Sequence, residues 1–399
     1  MLVLWGLLLF LPILGLYLWF YHGWGCFFRE DAIQPTQPLV TDKRARDKVL
    51  RQGVPPNDSS FMINSLLLHH YKRGAWYPRG GSSEIPFHMI NVIERAGGKV
   101  LVKAPVTRIL LSNGRATGVA VKKSGQEICV SAPIIISDAG IFNTYERLLP
   151  PEIKQKPEVA SILSRLQYGM GCFLVFVGLR GTSDELGLKS INYWIIVYQS
   201  FTDIAFFCRM DQCSLSTLDE FCENLPLMFI TSPSAKDPTY NLRHPGRSCM
   251  TLLTMAPYHW FSEWKEHQPR HRGDDYYNMK MKLAQKMLER ALKENPQLED
   301  KVKSATPLSN EYYLRAPKGS MYSAEQNCSR YQSDIIVKMR TQTAVPGLYL
   351  TGQDVFSSGL AGAVHGGLLC ACAVLNRILY LDLIIMKKRL KRQRMKKRD

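Results

Sequence analysis

The sequence predicts a two-domain α/β protein behind an apolar N-terminal segment, and three observations carry that expectation. An unbroken apolar run, Pro133-Ile134-Ile135-Ile136, ends in Ser137-Asp138-Ala139-Gly140, the pattern of a strand buried on both faces of a sheet. A second short apolar strand, Gly347–Leu350, leads through Thr351-Gly352-Gln353-Asp354 towards a glycine-rich turn and a helical run. Between the two, residues 150–330 change texture and become rich in aromatics. At 399 residues the chain is long enough for two or three domains with a substantial core.

The N-terminal segment comes first. Met1 to Phe28 holds no Lys, Arg, Asp or Glu, and its first twenty residues are long enough to cross a bilayer core as a helix. A cleavable signal would show a basic start and a shorter apolar core, so an uncleaved anchor is the better reading. Trp19, Tyr21 and Trp24 fit an interfacial belt. Arg29, Lys43, Arg44, Arg46, Lys48 and Arg51 follow the segment, which puts the body on the cytoplasmic side. Lys396 and Lys397 stand where a dilysine retrieval signal of the endoplasmic reticulum would, and two sequons, at Asn57 and Asn327, would matter only in the lumen.

Residues 29–60 read as a Pro- and Ser-containing linker, and 61–71 as a short apolar helix. The turn Pro78-Arg79-Gly80-Gly81 opens a second helix, with Ser82 or Ser83 as its cap, Glu84 in its first turn and Ile85, Met89, Ile90 and Ile93 on one face; Gly97-Gly98 ends it. Val100 and Val102 then alternate with polar neighbours, Val106–Leu111 and Ala116–Val121 flank an Asn113-Gly114 hairpin turn, and Ile128–Ile136 follows Ser124-Gly125 as a further strand.

Residues 150–330 form a second, mixed domain with an amphipathic helix over Tyr276–Lys293. Its aromatics, Trp194, Tyr198, Phe201, Phe206, Phe207, Tyr258, Trp260, Phe261 and Trp264, read chiefly as core, with some available to line an apolar pocket. His69, His70, His259 and His365 read as structural residues. In the last segment Gly359, Gly362, Gly366 and Gly367 lead into a helical run over Leu368–Leu379. Such a turn serves close backbone approach to a ligand at a helix N-terminus, where Asp354 could accept from ligand hydroxyls, or else close packing of the helix itself.

Composition excludes several classes. The formal net charge is +17, but residues 387–399 carry +8 of it, so the remaining body is only mildly basic. Nucleic-acid binding would need cations interleaved with aromatics across a folded face, and none is expected. The basic tail reads as solvated or as a contact to lipid headgroups. The ten cysteines form no CxxC and no zinc spacing, so neither a metal site nor a disulfide framework is expected.

Three stretches, YPRGGSSEI with GGKVLVKAPVTRILLSNGRATGV, then IISDAGIFNTYERLL, then LYLTGQDVFSSGLAGAVHGGLL, stand in an order that resembles the carotenoid/retinoid oxidoreductases, the phytoene desaturase-like family of FAD enzymes. LVTDKRARDKVL, GTSDEL, PSAKDPT, PGRS and WFSEW strengthen the likeness, which covers nearly all of residues 38–385. The resemblance implies a two-domain FAD-dependent oxidoreductase-like fold. Residues 61–149 and 331–385 would make an incomplete Rossmann-type FAD domain, 150–330 the substrate domain and 386–399 the basic tail. It places FAD against Val106, Gly352, Asp354, Gly359, Gly362 and Ala363, and sets Gly80 and Gly81 near the flavin and the substrate cavity. It implies hydride transfer to one conjugated double bond of a membrane-dissolved retinoid or other apolar polyene, with NAD or NADP as candidate hydride donors.

One departure stands out. The family opens its body with G-x-G-x-x-G, where the FAD pyrophosphate rests on a helix N-terminus, and no such motif occurs in this sequence. The linker runs into VPPNDSSF, with the apparent join near Gly53-Val54, as though an internal block were missing. Two readings follow: an FAD-dependent polyene reductase, or a membrane-anchored relative without that activity.

Overall fold

The computed structural model describes residues 60–395, apart from 73, 197–220, 224, 226, 270 and 295–301. The apolar segment 1–28, the linker to residue 59, Tyr198, Phe201, Phe206, Phe207 and the Lys396-Lys397 pair lie outside the described residues.

Helices α1 (Phe61–Tyr71) and α2 (Glu84–Arg95) stand where the sequence puts them. Ser83 occupies the N-cap position of α2 but makes no side-chain capping bond, because its backbone is already helical (φ −64°, ψ −22°). The turn itself starts the helix instead, with Gly81 N donating to Pro78 O (3.0 Å). The end is as expected: Gly97 N donates to Glu94 O and Gly98 N to Ile93 O, the paired bonds of a Schellman ending. Residues 99–105 form no strand, and Val100, Leu101 and Val102 are exposed.

Strands β1 (Val106–Ser112), β2 (Arg115–Lys123) and β3 (Gln126–Ser131) make an antiparallel meander. Both tight turns need the left-handed region, and both get residues that tolerate it: Asn113 (φ 48°) with Gly114 (φ 75°), and Ser124 (φ 52°) with Gly125 (φ 81°). The strand expected over Ile128–Ile136 is two strands. β3 stops at Ser131, and β4 (Ile135–Ser137) leaves the meander to pair in parallel with β10 (Leu348–Leu350). This run is buried on one face only: Ile135 is 8% exposed but Ile136 is 50% exposed.

The aromatic-rich segment is an antiparallel sheet in the order β6-β7-β8-β5-β9. β5 (Cys172–Arg180) pairs along its whole length with β8 (Arg247–Met255), and β9 (Val302–Ala305), β7 (Leu227–Thr231) and β6 (Asn192–Ile196) complete the order. Alternation along β5 sends Phe173, Val175, Val177 and Leu179 into the core. The expected amphipathic helix is α3 (Gly273–Glu294), which lays Leu283, Ala284 and Met287 into the same cluster with Phe261, and α4 (Pro307–Leu314), after β9, adds Leu308. Trp260 and Trp264 pack against that cluster half-buried, while Trp194 is exposed. A second, separate cluster gathers Ile109, Ile135, Phe142, Ile162, Ile335, Leu348 and Leu350. It thus joins chain from both sides of the five-stranded unit.

After β10 the helix begins at Gly359, not at Leu368, and α5 runs over Gly359–Leu375. The glycines expected to precede the helix lie inside it. A Cβ at Gly362 would sit 1.6 Å from Ser357 O, and one at Gly366 2.2 Å from Gly352 O. They are small so that the helix can touch the turn that feeds it. Asn376 closes α5 in the left-handed region, and α6 (Leu379–Met395) follows, so the described part of the basic tail is helical.

Candidate functional site

The C-terminal ends of two parallel strands are where a sheet of this kind presents groups to a ligand. Here those ends lead into Asp138 after β4 and into Thr351-Gly352 after β10, locked in register by Thr351 N donating to Ser137 O (3.0 Å). Asp354 lies just beyond, 5% exposed. Its Oδ2 accepts from Ile141 N (2.8 Å) and Ser323 Oγ (2.7 Å), and its Oδ1 from Ala324 N (3.4 Å). Arg330 Nη1 stands 3.5 Å from Oδ1, and the same guanidinium donates to the carbonyls of Ala324 (2.9 Å), Gln353 (3.0 Å) and Asp354 (3.2 Å). Asp354 is therefore the node of the frame, with both oxygens engaged by the chain itself.

Gly352 must be glycine twice over. Its φ is +87°, and a Cβ there would fall 1.7 Å from Asp138 Oδ1. Asp138 itself is exposed and has no hydrogen-bond partner among the described residues. Its carboxyl pKa is pushed up, first because the carboxylate, set over Gly352, is partly withdrawn from water, and then by the neighbouring charge of Asp354. It is the acceptor at this edge that remains open to a ligand hydroxyl. Gln353 Oε1 takes Gly359 N (3.1 Å), which leaves the first turn of α5 beside the same edge.

Of the residues expected to touch a cofactor, Gly352, Asp354, Gly359, Gly362 and Ala363 are brought together here. Val106 begins β1 opposite Val121, 41% exposed, on the meander. The meander joins the edge through Ala116 N, which donates to Pro346 O (2.9 Å). Gly80 and Gly81 are held elsewhere: Gly80 N donates to Asp237 Oδ2 (3.1 Å) on the five-stranded unit. Asp237 also accepts from Thr239 N (2.9 Å) and Thr239 Oγ1 (2.7 Å), and it pairs with Arg243. Burial alone would raise its pKa; the bonds from Thr239, Gly80 and Arg243 outweigh that and hold it at about 2. His69, His70, His259 and His365 are all exposed, and His365 stacks on Phe356 at 5.1 Å. Among the described residues no group of His, Cys, Asp or Glu could hold a metal ion.

Sequence reasoning missed Asp138 and Arg330. Asp138 had a signal, an acidic residue directly after an apolar strand, at the sheet end where ligands bind. Arg330 had none, because its partners lie 6 to 24 residues away along an irregular segment.

A family profile described as flavin containing amine oxidoreductase matches residues 56–375, and the chain belongs to that family. Its fold is the mixed α/β fold of the FAD-dependent oxidoreductases. Among curated proteins it is similar to the all-trans-retinol 13,14-reductase of Homo sapiens, 45% identical over 348 residues that cover 86% of this chain and 56% of that protein. The Danio rerio enzyme of the same name is 41% identical over 350 residues, 87% of this chain and 57% of that one. A second Danio rerio protein, named an inactive all-trans-retinol 13,14-reductase, is 43% identical over 349 residues, 86% of this chain and 57% of that one. The chain thus spans 56–57% of the length of these relatives.

Proposed function

We propose that this chain serves the chemistry of its relatives, the FAD-dependent saturation of the 13,14 double bond of all-trans-retinol, on a membrane of the endoplasmic reticulum. The observation that carries the reading is the edge built by Asp138, Gly352 and Asp354 at the carboxyl ends of β4 and β10, in a chain 41–45% identical to those relatives. FAD, when bound, would supply the hydride, with NAD or NADP as candidate sources of the electrons. The chain's own part is to hold and orient. Asp354 and Arg330 fix the edge, and Asp138 offers an open carboxylate to a ribityl or ribose hydroxyl. Gly359 and Ala363 present the start of α5, and the exposed Val106 offers backbone beside the meander. The retinoid is apolar and asks for an apolar slot. The PRGG turn, docked through Gly80 on Asp237, ties the chain before the meander to the five-stranded unit.

The fit to FAD is partial. A pyrophosphate needs several free donors, whereas this edge carries two carboxylates, and the one guanidinium beside them is spent on Asp354 and three carbonyls. The same observation favours a second reading, a membrane-anchored relative that binds flavin weakly and is inactive. The visible absorption spectrum of the purified full chain, with and without added FAD, separates the two. A bound-flavin spectrum, followed by consumption of all-trans-retinol with a nicotinamide donor, supports the reductase. No bound flavin even in excess FAD rejects it for this chain.

A further inference from the structure

Helix α6 has its polarity divided along its axis rather than around it. Tyr380, Leu381, Leu383, Ile384, Ile385 and Met386 are 39–58% exposed, and at helical spacing they point in every direction. A helix that is apolar all round is ordinarily buried in a core or in lipid, yet none of these side chains is buried. The next turns reverse the chemistry: Lys387, Lys388, Arg389, Lys391 and Arg392 follow on all sides. The bend before α6 adds Leu375 and Ile378, 61% and 69% exposed. The two charges near this bend neutralise each other, with Arg377 Nη2 donating to Asp382 Oδ1 (2.9 Å). The family profile ends at residue 375, before α6 begins.

We propose that the elbow between α5 and α6 docks on an anionic lipid bilayer, elbow first, with the apolar half of α6 entering the acyl boundary and its cations gripping the headgroups. Charge complementarity selects the occupant. Five cations directly above an apolar plug whose one charge, Asp382, is paired with Arg377 match anionic phospholipid, each cation contributing about fivefold in affinity. Geometry sets the depth. The apolar half, Leu379–Met386, is about 12 Å long at 1.5 Å per residue, far short of the roughly 30 Å core, so the helix dips into one leaflet. No single described helix is long and apolar enough to cross a membrane, and α5 and α6 meet at 117°. This contact is separate from the N-terminal apolar segment and does not depend on the retinoid reading.

The test is amide hydrogen exchange by mass spectrometry on the full chain bound to phosphatidylcholine vesicles, with and without phosphatidylserine. Any tether through the apolar N-terminal segment would act on both kinds of vesicle, so the readout is local to α6. We expect exchange over Leu379–Met386 to slow at least tenfold with phosphatidylserine and much less without it. Reversing Lys387, Lys388, Arg389, Lys391 and Arg392 to Glu is expected to abolish the difference, as is the pair Leu381→Asp and Ile385→Asp. Unchanged exchange on either vesicle overturns the proposal. So does protection that is equal on neutral lipid and insensitive to the charge reversals. Even protection through Met395 means a helix lying flat and overturns elbow-first insertion.

Discussion

Arg330 and Asp354 face each other at 3.5 Å with side chains only 3% and 4% exposed, and their bonds reach residues 141, 323, 324 and 353. The pair therefore joins β4's exit to β10's exit. Arg330→Met would leave a carboxylate buried without its cation, and we expect a loss of about 3–5 kcal/mol in urea unfolding. Replacing both residues with apolar ones of similar volume should recover part of that loss. A cost below about 1 kcal/mol for the single variant would show that the pair does not hold the edge.

Two glycines of the same region should respond differently to alanine. At Gly366 the new Cβ meets the backbone carbonyl of Gly352 at 2.2 Å, so α5 must shift, at a cost of about 2–3 kcal/mol. At Gly359 the space is open, with Tyr322 Cε1 the nearest atom at 3.8 Å, and only the positive φ is strained, at about 1 kcal/mol. Thermal melts of the two variants should rank in that order; equal melting points would contradict the packing argument.

Acid stability should depend on Asp237. Its folded pKa of about 2 lies below the ordinary value of about 3.9, so its contribution is complete above pH 4 and is lost as the pH falls towards 2. Asp237→Asn should be less stable than the parent at neutral pH and should show a flatter decline between pH 4 and 2. A parallel decline in both proteins would remove Asp237 from the account. Proteolysis near the PRGG turn should rise in the variant, since Gly80 N loses an anionic acceptor.

Phe261 is fully buried in the cluster beneath the five-stranded sheet, packed with α3. Phe261→Ala should cost about 3–5 kcal/mol, and Phe261→Leu much less, because the smaller cavity collapses more easily. Denaturant midpoints for the two variants would check this ranking.

Much of this fold was legible where the signal is local. Asn113-Gly114 wrote its own hairpin, and the apolar spacing over Tyr276–Lys293 marked α3 to within a few residues. The strand break after Ser131 was not legible. Ala132, Pro133 and Ile134 continue an apolar run, and what ends β3 is the departure of β4 to a strand near the other end of the chain. The start of α5 was misplaced because glycines read as breakers, while here they admit the backbone of Gly352 and Ser357 against the helix. The candidate site was half legible. Gly352, Asp354 and Gly359 carried a motif, but Asp354's engagement with Ile141 and Arg330, and Asp138's freedom, depend on partners that only tertiary structure brings together.

The parallel pairing of β4 with β10 also sets a timetable. Ile141, at the exit of β4, meets Asp354, at the exit of β10, across 213 residues of chain. A ribosome adding roughly 5–20 residues per second makes β4 wait some 10–40 s for its partner. During that interval Ile134, Ile135 and Ile136 have no strand beside them. The five-stranded unit emerges meanwhile, and pairing of Leu174 with Ala305 draws its two ends together. The late-arriving β10 is thus delivered close to its partner, and nascent chains halted before residue 348 are the ones that would call on chaperones.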